Sequence, residues 1–238
     1  MDTLNKKTTA LLQQFLNAAY TVDMSHPMEA GMPNWPTQPP YAYVDINRLD
    51  WGYGSFHRGV SFSEHTGTHM DAGAHFVAGK PTIDRVPATQ IMGRGVNVDA
   101  TQTPPRGDYP LSALKQWEAE HGEIQEGDIV FFRFGWDDKY GIQPEGKEFY
   151  SDWPGISTEV GEYLRDKKVK AVGTDTMALD ADGTDYPCHG ILLGSDINIL
   201  ENVNKLKELP LFFAVIGLPL AFKGGSGSPV RLIAFLDK

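Results

Sequence analysis

The amino-acid sequence predicts an α/β fold in a single domain, with a mixed β-sheet and flanking helices. Short runs dense in Val, Ile and Phe alternate along the chain with segments of helical periodicity, which is typical of such folds. Apolar residues make up 41% of the 238 residues and charged residues 22%, so a sizeable core can form. Neither an internal repeat nor a linker-like segment divides the sequence, and we therefore assign residues 1–238 to one domain.

The first predicted element is an amphipathic helix over residues 1–19, where apolar side chains recur at intervals of three and four residues. Residues 27–40 are punctuated by proline and glycine and are predicted as a loop. Two further helices are predicted, one that starts at Pro110 and runs to about residue 120, and one that is capped by Ser157 and ends near residue 167. The predicted strands are residues 20–24, 41–46, 56–62, 96–98, 129–134, 169–172, 211–216 and 230–236.

The charge balance excludes two classes of partner. The chain carries 21 Lys and Arg against 31 Asp and Glu, a net charge of −10, and it has no basic stretch that could neutralise a row of phosphates. We therefore expect no nucleic-acid binding. The same acidity repels anionic membrane surfaces, and no apolar run approaches the ~20 residues that span a bilayer, so we expect no membrane association.

Cysteine usage predicts the compartment. Cys188 is the only cysteine, which excludes an intrachain disulfide and a cysteine-based metal cluster. The first residues lack a basic segment followed by an uninterrupted apolar one, so no signal peptide is predicted. Both features favour a cytoplasmic protein.

The segment that carries chemistry is residues 63–75, which read Ser-Glu-His-Thr-Gly-Thr-His-Met-Asp-Ala-Gly-Ala-His. Gly67 between two β-branched threonines disfavours a helix and favours an extended strand. Side chains alternate along a strand, so His65, His69 and Asp71 are predicted to point to one side, with Gly67 leaving room between the imidazoles. Two imidazoles and a carboxylate suit a first-row divalent cation such as zinc or manganese, and three ligands leave a position open for water.

The same segment could instead be a half-buried strand whose histidines hydrogen-bond backbone groups. Three histidines at even spacing together with an aspartate favour a metal site over this alternative. His189 and Glu201, twelve residues apart, form a second candidate pair. We predict a turn or short strand over residues 190–196 and a helix over residues 200–206. His189 would then lie beside a strand, and Glu201 would lie on a helix. Taken alone, such a pair is more typical of a buried core than of a metal site.

Residues 65–75 resemble the signature of the cyclase family of metal-dependent hydrolases, which includes bacterial kynurenine formamidases and isatin hydrolases. Residues 22–27, 173–176 and 224–229 extend the resemblance over nearly the whole chain. The resemblance implies the family's swivelling β/β/α fold and a homodimer. Residues 41–59 and the Gly-Ser-rich ending look more like the longer members of the family, among them the isatin hydrolases.

Carried over to this sequence, the resemblance makes His65, His69 and Asp71 metal ligands, with His189 and Glu201 completing the site. Asp71 and Glu201 would bridge the ions in a two-metal version. The resemblance thus implies one or two divalent cations, zinc or manganese, per chain.

Two further roles are implied by the resemblance. His75 would be the catalytic acid/base, and Trp35, held between Pro33 and Pro36, would line the substrate pocket. The family usually has proline where this chain has Gly73, which is expected to loosen the turn that aims His75.

Other polar candidates admit two interpretations. Asp175 and Asp180 fit a pair of acid/base carboxylates as well as they fit solvated turn residues. Cys188 directly precedes His189, but adjacent side chains on an extended chain point apart, so we predict a small buried thiol and no Cys–His nucleophile pair. Residues 224–229 lack the ending of a phosphate-binding loop and are predicted as a tight turn before a strand.

Aromatic residues and the remaining histidines have no assigned chemistry. The aromatic cluster after residue 50 is predicted in the core, with an exposed loop near the site as the alternative. The histidines outside the two candidate groups are predicted to be structural or surface residues. The aromatic cluster is Trp51, Tyr53 and Phe56, and the histidines are His26, His57 and His121.

The leading hypothesis for function is a hydrolase that cleaves an amide-type C–N bond of a small aromatic molecule, in the manner of N-formylkynurenine hydrolysis or isatin ring-opening. A metal would polarise the carbonyl and lower the pKa of a water molecule toward ~7, while His75 moves protons. One alternative is a non-haem iron oxygenase with two histidines and a carboxylate, which the additional pair His189 and Glu201 argues against. A second alternative is a metal-binding protein without enzymatic activity.

Overall fold

The computed structural model describes residues 2–238, which form twelve strands and four α-helices; Met1, the first residue of the predicted N-terminal helix, lies outside the described residues. Ser157 caps the third helix as predicted, because its side chain accepts a hydrogen bond from the N–H of Val160. In chain order the elements are α1 (Asp2–Ala18), β1 (Ala19–Asp23), β2 (Ala42–Asn47), β3 (His57–Ser61), β4 (His69–Asp71), β5 (Ile91–Asp99), β6 (Asp108–Tyr109), α2 (Leu111–His121), β7 (Ile129–Arg133), β8 (Gly155–Ile156), α3 (Thr158–Lys167), β9 (Ala171–Thr174), α4 (Pro187–Leu193), β10 (Asn198–Glu201), β11 (Phe212–Pro219) and β12 (Gly227–Asp237).

Eight strands form one mixed sheet in the order β1-β12-β11-β5-β7-β9-β10-β4. The strands β5, β7, β9 and β10 pair in parallel, and the remaining pairs are antiparallel. β4 also pairs with the first residues of β12, so the strands from β12 to β4 close into a barrel. The mixed sheet was predicted from the sequence, whereas its closure depends on this long-range pairing.

The strand β7 explains how the sheet is buried on both sides. Val130 and Phe132 pack with the helices α2, α3 and α4 in one core cluster, while Ile129 and Phe131 belong to a second cluster on the opposite face. Side chains alternate along a strand, so a strand that is covered on both faces reads as a continuous apolar run. This burial is the reason that the run was recognisable in the sequence.

Two predicted elements around the second candidate pair differ from the structure. Residues 190–196 were expected to form a turn or short strand; residues 194–196 do form a turn, but residues 190–193 belong to α4, which carries His189 and starts with Pro187 at its first turn. Residues 200–206 were expected to form a helix, but Glu201 ends the buried strand β10. A short apolar run is ambiguous between strand and buried helix, and tertiary packing decided both cases.

The strands β2 and β3 form a separate two-stranded hairpin. The prediction that Trp51, Tyr53 and Phe56 belong to the core was wrong, because each side chain is at least half exposed. Arg58 stacks over Tyr43 with 4.1 Å from its guanidinium carbon to the ring centroid. The hairpin therefore displays aromatic and apolar side chains together with arginine.

The N-terminal helix is only partly covered. Phe15 packs on Phe235 with 4.9 Å between ring centroids, while Leu11, Leu12 and Leu16 remain exposed. No helix within residues 2–238 is long and apolar enough to cross a membrane.

Candidate active site

The site lies where β4 closes the barrel between β10 and β12. In this register Glu201 of β10 is opposite His69, and Gly227 of β12 is opposite Asp71. Residues that are directly opposite on neighbouring antiparallel strands have Cβ atoms about 5 Å apart. The pairing of β4 and β10 thus brings the two candidate groups of the sequence together.

The chain from His65 to Asp71 is not one continuous strand, which corrects the predicted conformation. β4 begins only at His69, and Gly67 has φ +63°, in the left-handed region that favours glycine. A Cβ at Gly67 would lie 2.8 Å from the Met32 Cε, which is the movable end of a flexible side chain, so the positive φ is what requires glycine here. The predicted convergence nevertheless occurs, because the imidazole Nδ1 of His65 lies 2.7 Å from the Asp71 Oδ1.

His69 is held by the same turn. Its Nδ1 lies 2.8 Å from the carbonyl oxygen of Gly67, to which an Nδ1–H donates, and its Nε2 lies 3.4 Å from both the Asp71 Oδ1 and the Glu201 Oε2. Burial acts to lower the pKa of His69, but the hydrogen bond with Glu201 and the charges of Asp71 and Glu201 outweigh it and raise the pKa. A positive charge is thus favoured between these carboxylates.

His189 enters from α4 with an oriented ring. Its Nδ1 lies 2.6 Å from the Asp180 Oδ2, and its Nε2 lies 3.1 Å from the Glu201 Oε1 and 3.7 Å from the Asp71 Oδ2. Burial acts to lower the pKa of His189, but the hydrogen bonds with Asp180 and Glu201 and the nearby negative charges raise it to about 10. The Nδ1 contact leaves the Nε2 directed at the two central carboxylates.

The donor atoms fit a divalent cation. Asp71 is 1% exposed, and its Oδ2 has no hydrogen-bond partner within residues 2–238. Two sets of three residues could each hold an ion, with ligand atoms within 4.8 Å of one another, and both sets contain Asp71. Imidazole nitrogen and carboxylate oxygen are the ligands of first-row divalent metals in proteins. The sets are His65, His69 and Asp71, and Asp71, His189 and Glu201.

His75 lies beside these two sets and belongs to neither. It ends a single 3-10 turn, and its ring stacks on His65 with 3.9 Å between centroids. Burial lowers the pKa of His75, the charge of Asp71 opposes this shift, and the charge of His65 reinforces it. A Cβ at Gly73 would lie 2.8 Å from the Lys80 Cβ, so the turn that carries His75 packs closely against that side chain.

A cavity of about 220 Å³ opens above the histidines. Trp35 lies in its wall, 6.1 Å from Trp153 and 6.2 Å from Tyr186 between ring centroids, and Phe76 lies 4.6 Å from the His189 ring. The cavity therefore combines an ionic floor with an aromatic wall. The floor is formed by the two donor sets, and the wall is formed by Trp35, Phe76 and Tyr186.

Comparison with known proteins identifies the family. The family model described as "Putative cyclase" matches residues 22–181, more than half of the chain. The chain belongs to this cyclase family.

Two relatives with assigned activities cover most of the chain. The isatin hydrolase of Roseibium aggregatum is 33% identical over an alignment of 191 residues that covers 74% of this chain and 73% of the relative. The kynurenine formamidase of Bacillus cereus is 27% identical over an alignment of 215 residues that covers 89% of this chain and 95% of the relative.

The structure of isatin hydrolase A from Labrenzia aggregata, bound to benzyl benzoate, matches with a TM-score of 0.86. The match has 26% identity and covers 99% of this chain and 100% of that chain. The predicted fold class is thereby confirmed.

Two side chains near His65 in this cyclase-family chain were not predicted: Ser226, which contacts the imidazole, and Glu64, which holds Ser226. The Ser226 Oγ lies 2.8 Å from the His65 Nε2, and the Glu64 Oε2 accepts hydrogen bonds from the Ser226 N–H and hydroxyl. The predicted turn before a strand is present, but it is shorter than predicted, because residues 227–229 already belong to β12. A Cβ at Gly227 would lie 2.5 Å from the His65 Cε1, so glycine allows the imidazole to pack on the backbone. The local glycine-rich pattern was visible, but its contact with His65 spans 161 residues.

Neither interpretation of Asp175 and Asp180 is correct, because both carboxylates are buried and they serve different segments. Asp175 accepts the N–H groups of Phe134, Gly135 and Trp136, and burial raises its pKa to about 7. Asp180 accepts the N–H groups of Cys188 and His189 at the start of α4.

The thiol and the histidines outside the site match their expected settings. Cys188 is buried, and burial raises the pKa of its thiol well above its usual range. His26 stacks on Tyr140 with 3.5 Å between centroids, while His57 and His121 are exposed.

Proposed function

We propose that this chain is a metal-dependent hydrolase that cleaves an amide-type C–N bond of a small aromatic molecule, of the N-formylkynurenine or isatin type. The observation that carries this proposal is the convergence of three histidines and two carboxylates on the floor of an aromatic cavity. The relatives named isatin hydrolase and kynurenine formamidase support the same class of substrate.

The proposed metal is zinc or manganese, one or two ions per chain. His65, His69 and Asp71 would hold one ion, and His189 and Glu201 would share Asp71 to hold a second. When bound, a divalent cation polarises a carbonyl group and lowers the pKa of a water molecule. The residues around the ligands fix their orientation, since Gly67 and Asp180 engage the outer ring nitrogens of His69 and His189.

His75 is the proposed acid/base. Its imidazole lies next to the donor sets and outside them, and burial favours the neutral form that can accept a proton. We infer that His75 takes a proton from water and returns it to the leaving nitrogen, which requires a ring that is free to change protonation state.

Trp35 is the proposed contact for the aromatic part of the substrate. The loop that holds it lies between Pro33 and Pro36, and Trp153 and Tyr186 contact the indole at its edges. These contacts leave a wall of the cavity apolar, which suits a planar aromatic ring.

We also propose that residues 1–238 act as one domain, in the cytoplasm, as a homodimer. An isolated two-stranded hairpin has marginal stability in water, and β2 and β3 expose apolar side chains such as Val44 and Val60. A second copy of the chain would cover this surface. Size-exclusion chromatography with light scattering tests the dimer, and a monomer at micromolar concentration would contradict it.

Anaerobic incubation of the purified protein with N-formylkynurenine, isatin and simple lactones, read by mass spectrometry, tests the activity. We expect hydrolysis of at least one aromatic amide, with addition of one water and no dependence on oxygen. Metal binding without turnover of any of these compounds would contradict the proposed function.

A further inference from the structure

Tyr186 adopts an unusual backbone conformation at the edge of the site. It precedes α4 with φ +56° and ψ +50°, in the left-handed region that bulky residues rarely occupy. Such a conformation costs on the order of 1 kcal/mol or more and persists where the surroundings determine it, commonly at functional sites. The Tyr186 side chain makes no capping hydrogen bond to α4, so its backbone conformation is set by the tertiary surroundings.

The Tyr186 side chain lines the cavity. The ring stands edge-on to His189, with 5.5 Å between centroids and 88° between planes. Phe76 lies 6.0 Å away on one side, and Trp35 lies 6.2 Å away on another. Tyr186, like Phe76, therefore joins the apolar wall to the ionic floor.

The Tyr186 hydroxyl is available to a ligand. It makes no hydrogen bond within the described part of the chain, and it is not among the buried polar atoms that lack a partner. A phenol is protonated at neutral pH and can donate a hydrogen bond.

We propose that Tyr186 contacts the substrate, and that its hydroxyl donates a hydrogen bond to a carbonyl oxygen carried on the aromatic ring next to the scissile amide. The inference rests on the proposed function, and it narrows the substrate class to aromatic amides with a neighbouring ketone. Isatin and N-formylkynurenine both have this arrangement. A hydroxyl donor on the wall beside His189 suits the second oxygen of such a molecule.

The test combines one variant with two substrates. Tyr186→Phe keeps the ring and removes the hydroxyl, N-formylkynurenine carries the neighbouring ketone, and formanilide lacks it. We expect Tyr186→Phe to lower kcat/KM for N-formylkynurenine about three- to tenfold, the usual effect of one neutral hydrogen bond, and to leave formanilide within about twofold. Tyr20→Phe, a change on an exposed tyrosine of β1, is the matched control.

A binding measurement separates this contact from catalysis. Calorimetry with 2-aminoacetophenone and aniline compares ligands with and without the ketone, and we expect Tyr186→Phe to weaken only the former, about three- to tenfold. Equal losses for both members of a pair, or no loss for either, would overturn the contact. Selective loss in binding without hydrolysis of any amide would instead keep the contact and reject the proposed function.

Discussion

The floor and the wall of the cavity are built in different ways. The central floor groups His69, Asp71, His189 and Glu201 project from β4, α4 and β10, and each is at most 5% exposed. The wall is formed by aromatic side chains on loops, and Phe76 is 43% exposed.

The contacts differ as well as the elements. The histidines of the floor are held by hydrogen bonds at defined ring nitrogens, whereas the aromatic rings of the wall meet in tilted or edge-to-face pairs with about 6 Å between centroids. The difference indicates that the floor fixes the chemistry and that the wall adjusts affinity. Catalytic groups need rigid placement, while loops tolerate variation in what they bind.

The largest effect is expected at Asp71, because it belongs to both donor sets. Asp71→Ala is expected to lose most of the bound metal and to lower kcat/KM by at least about 10³-fold, since a metal supplies several kcal/mol of transition-state stabilisation. Elemental analysis and turnover measure both effects. Asp166→Ala, on the exposed face of α3, is the control. Full metal content in Asp71→Ala would show that the floor binds its cation elsewhere.

The second prediction distinguishes proton transfer by His75 from metal binding by the floor. His75→Ala is expected to retain its metal, because His75 lies outside both donor sets, and to lose about 10²- to 10⁴-fold in kcat, the usual contribution of a positioned acid/base. His121→Ala, an exposed histidine at the end of α2, should match the unmodified protein in both measurements. Metal loss in His75→Ala would make His75 a ligand.

A contrast between local and long-range contacts explains which parts of the site could be predicted from the sequence. His65, His69 and Asp71 lie within seven residues, so their convergence followed from local spacing, although the turn at Gly67 did not. Asp180 and His189 are nine residues apart, but their contact depends on α4, which was not predicted.

Other contacts were beyond any local pattern. Ser226 reaches His65 only because β12 pairs with β4 across the barrel closure. Tyr186 joins the wall through a left-handed conformation that local propensity disfavours for tyrosine. Such contacts are set by tertiary structure, so sequence spacing alone could not reveal them.

A third prediction tests whether the orientation of the His189 ring affects metal affinity. Asp180 accepts hydrogen bonds from the Cys188 N–H, the His189 N–H and the His189 ring. In Asp180→Asn one side-chain NH₂ must face a donor, so we expect metal affinity to fall about 10- to 100-fold, as for other partners of metal-binding histidines. Calorimetry measures the affinity, and Asp182→Asn in the same loop is the control. Unchanged affinity would mean that α4 alone orients His189.

The smallest effect is expected in the wall, at Trp35. Its indole contacts Trp153 and Tyr186 at their edges and lies away from the donor sets, so its contact with an aromatic substrate should be equal in the ground and transition states. Trp35→Ala is therefore expected to raise KM about three- to tenfold, an effect of the size measured for single aromatic pairs, with little change in kcat.

Trp35→Phe keeps an aromatic ring at this position and should recover most of the lost affinity. Metal content should stay unchanged in both Trp35 variants, because the ring contacts of the indole are with Trp153 and Tyr186, which belong to neither donor set. If Trp35→Ala instead lowers the melting temperature strongly and leaves KM unchanged, Trp35 belongs to the core cluster of Trp136, Phe149 and Trp153. Phe76 and Tyr186 would then be the remaining residues of the wall that could contact the substrate.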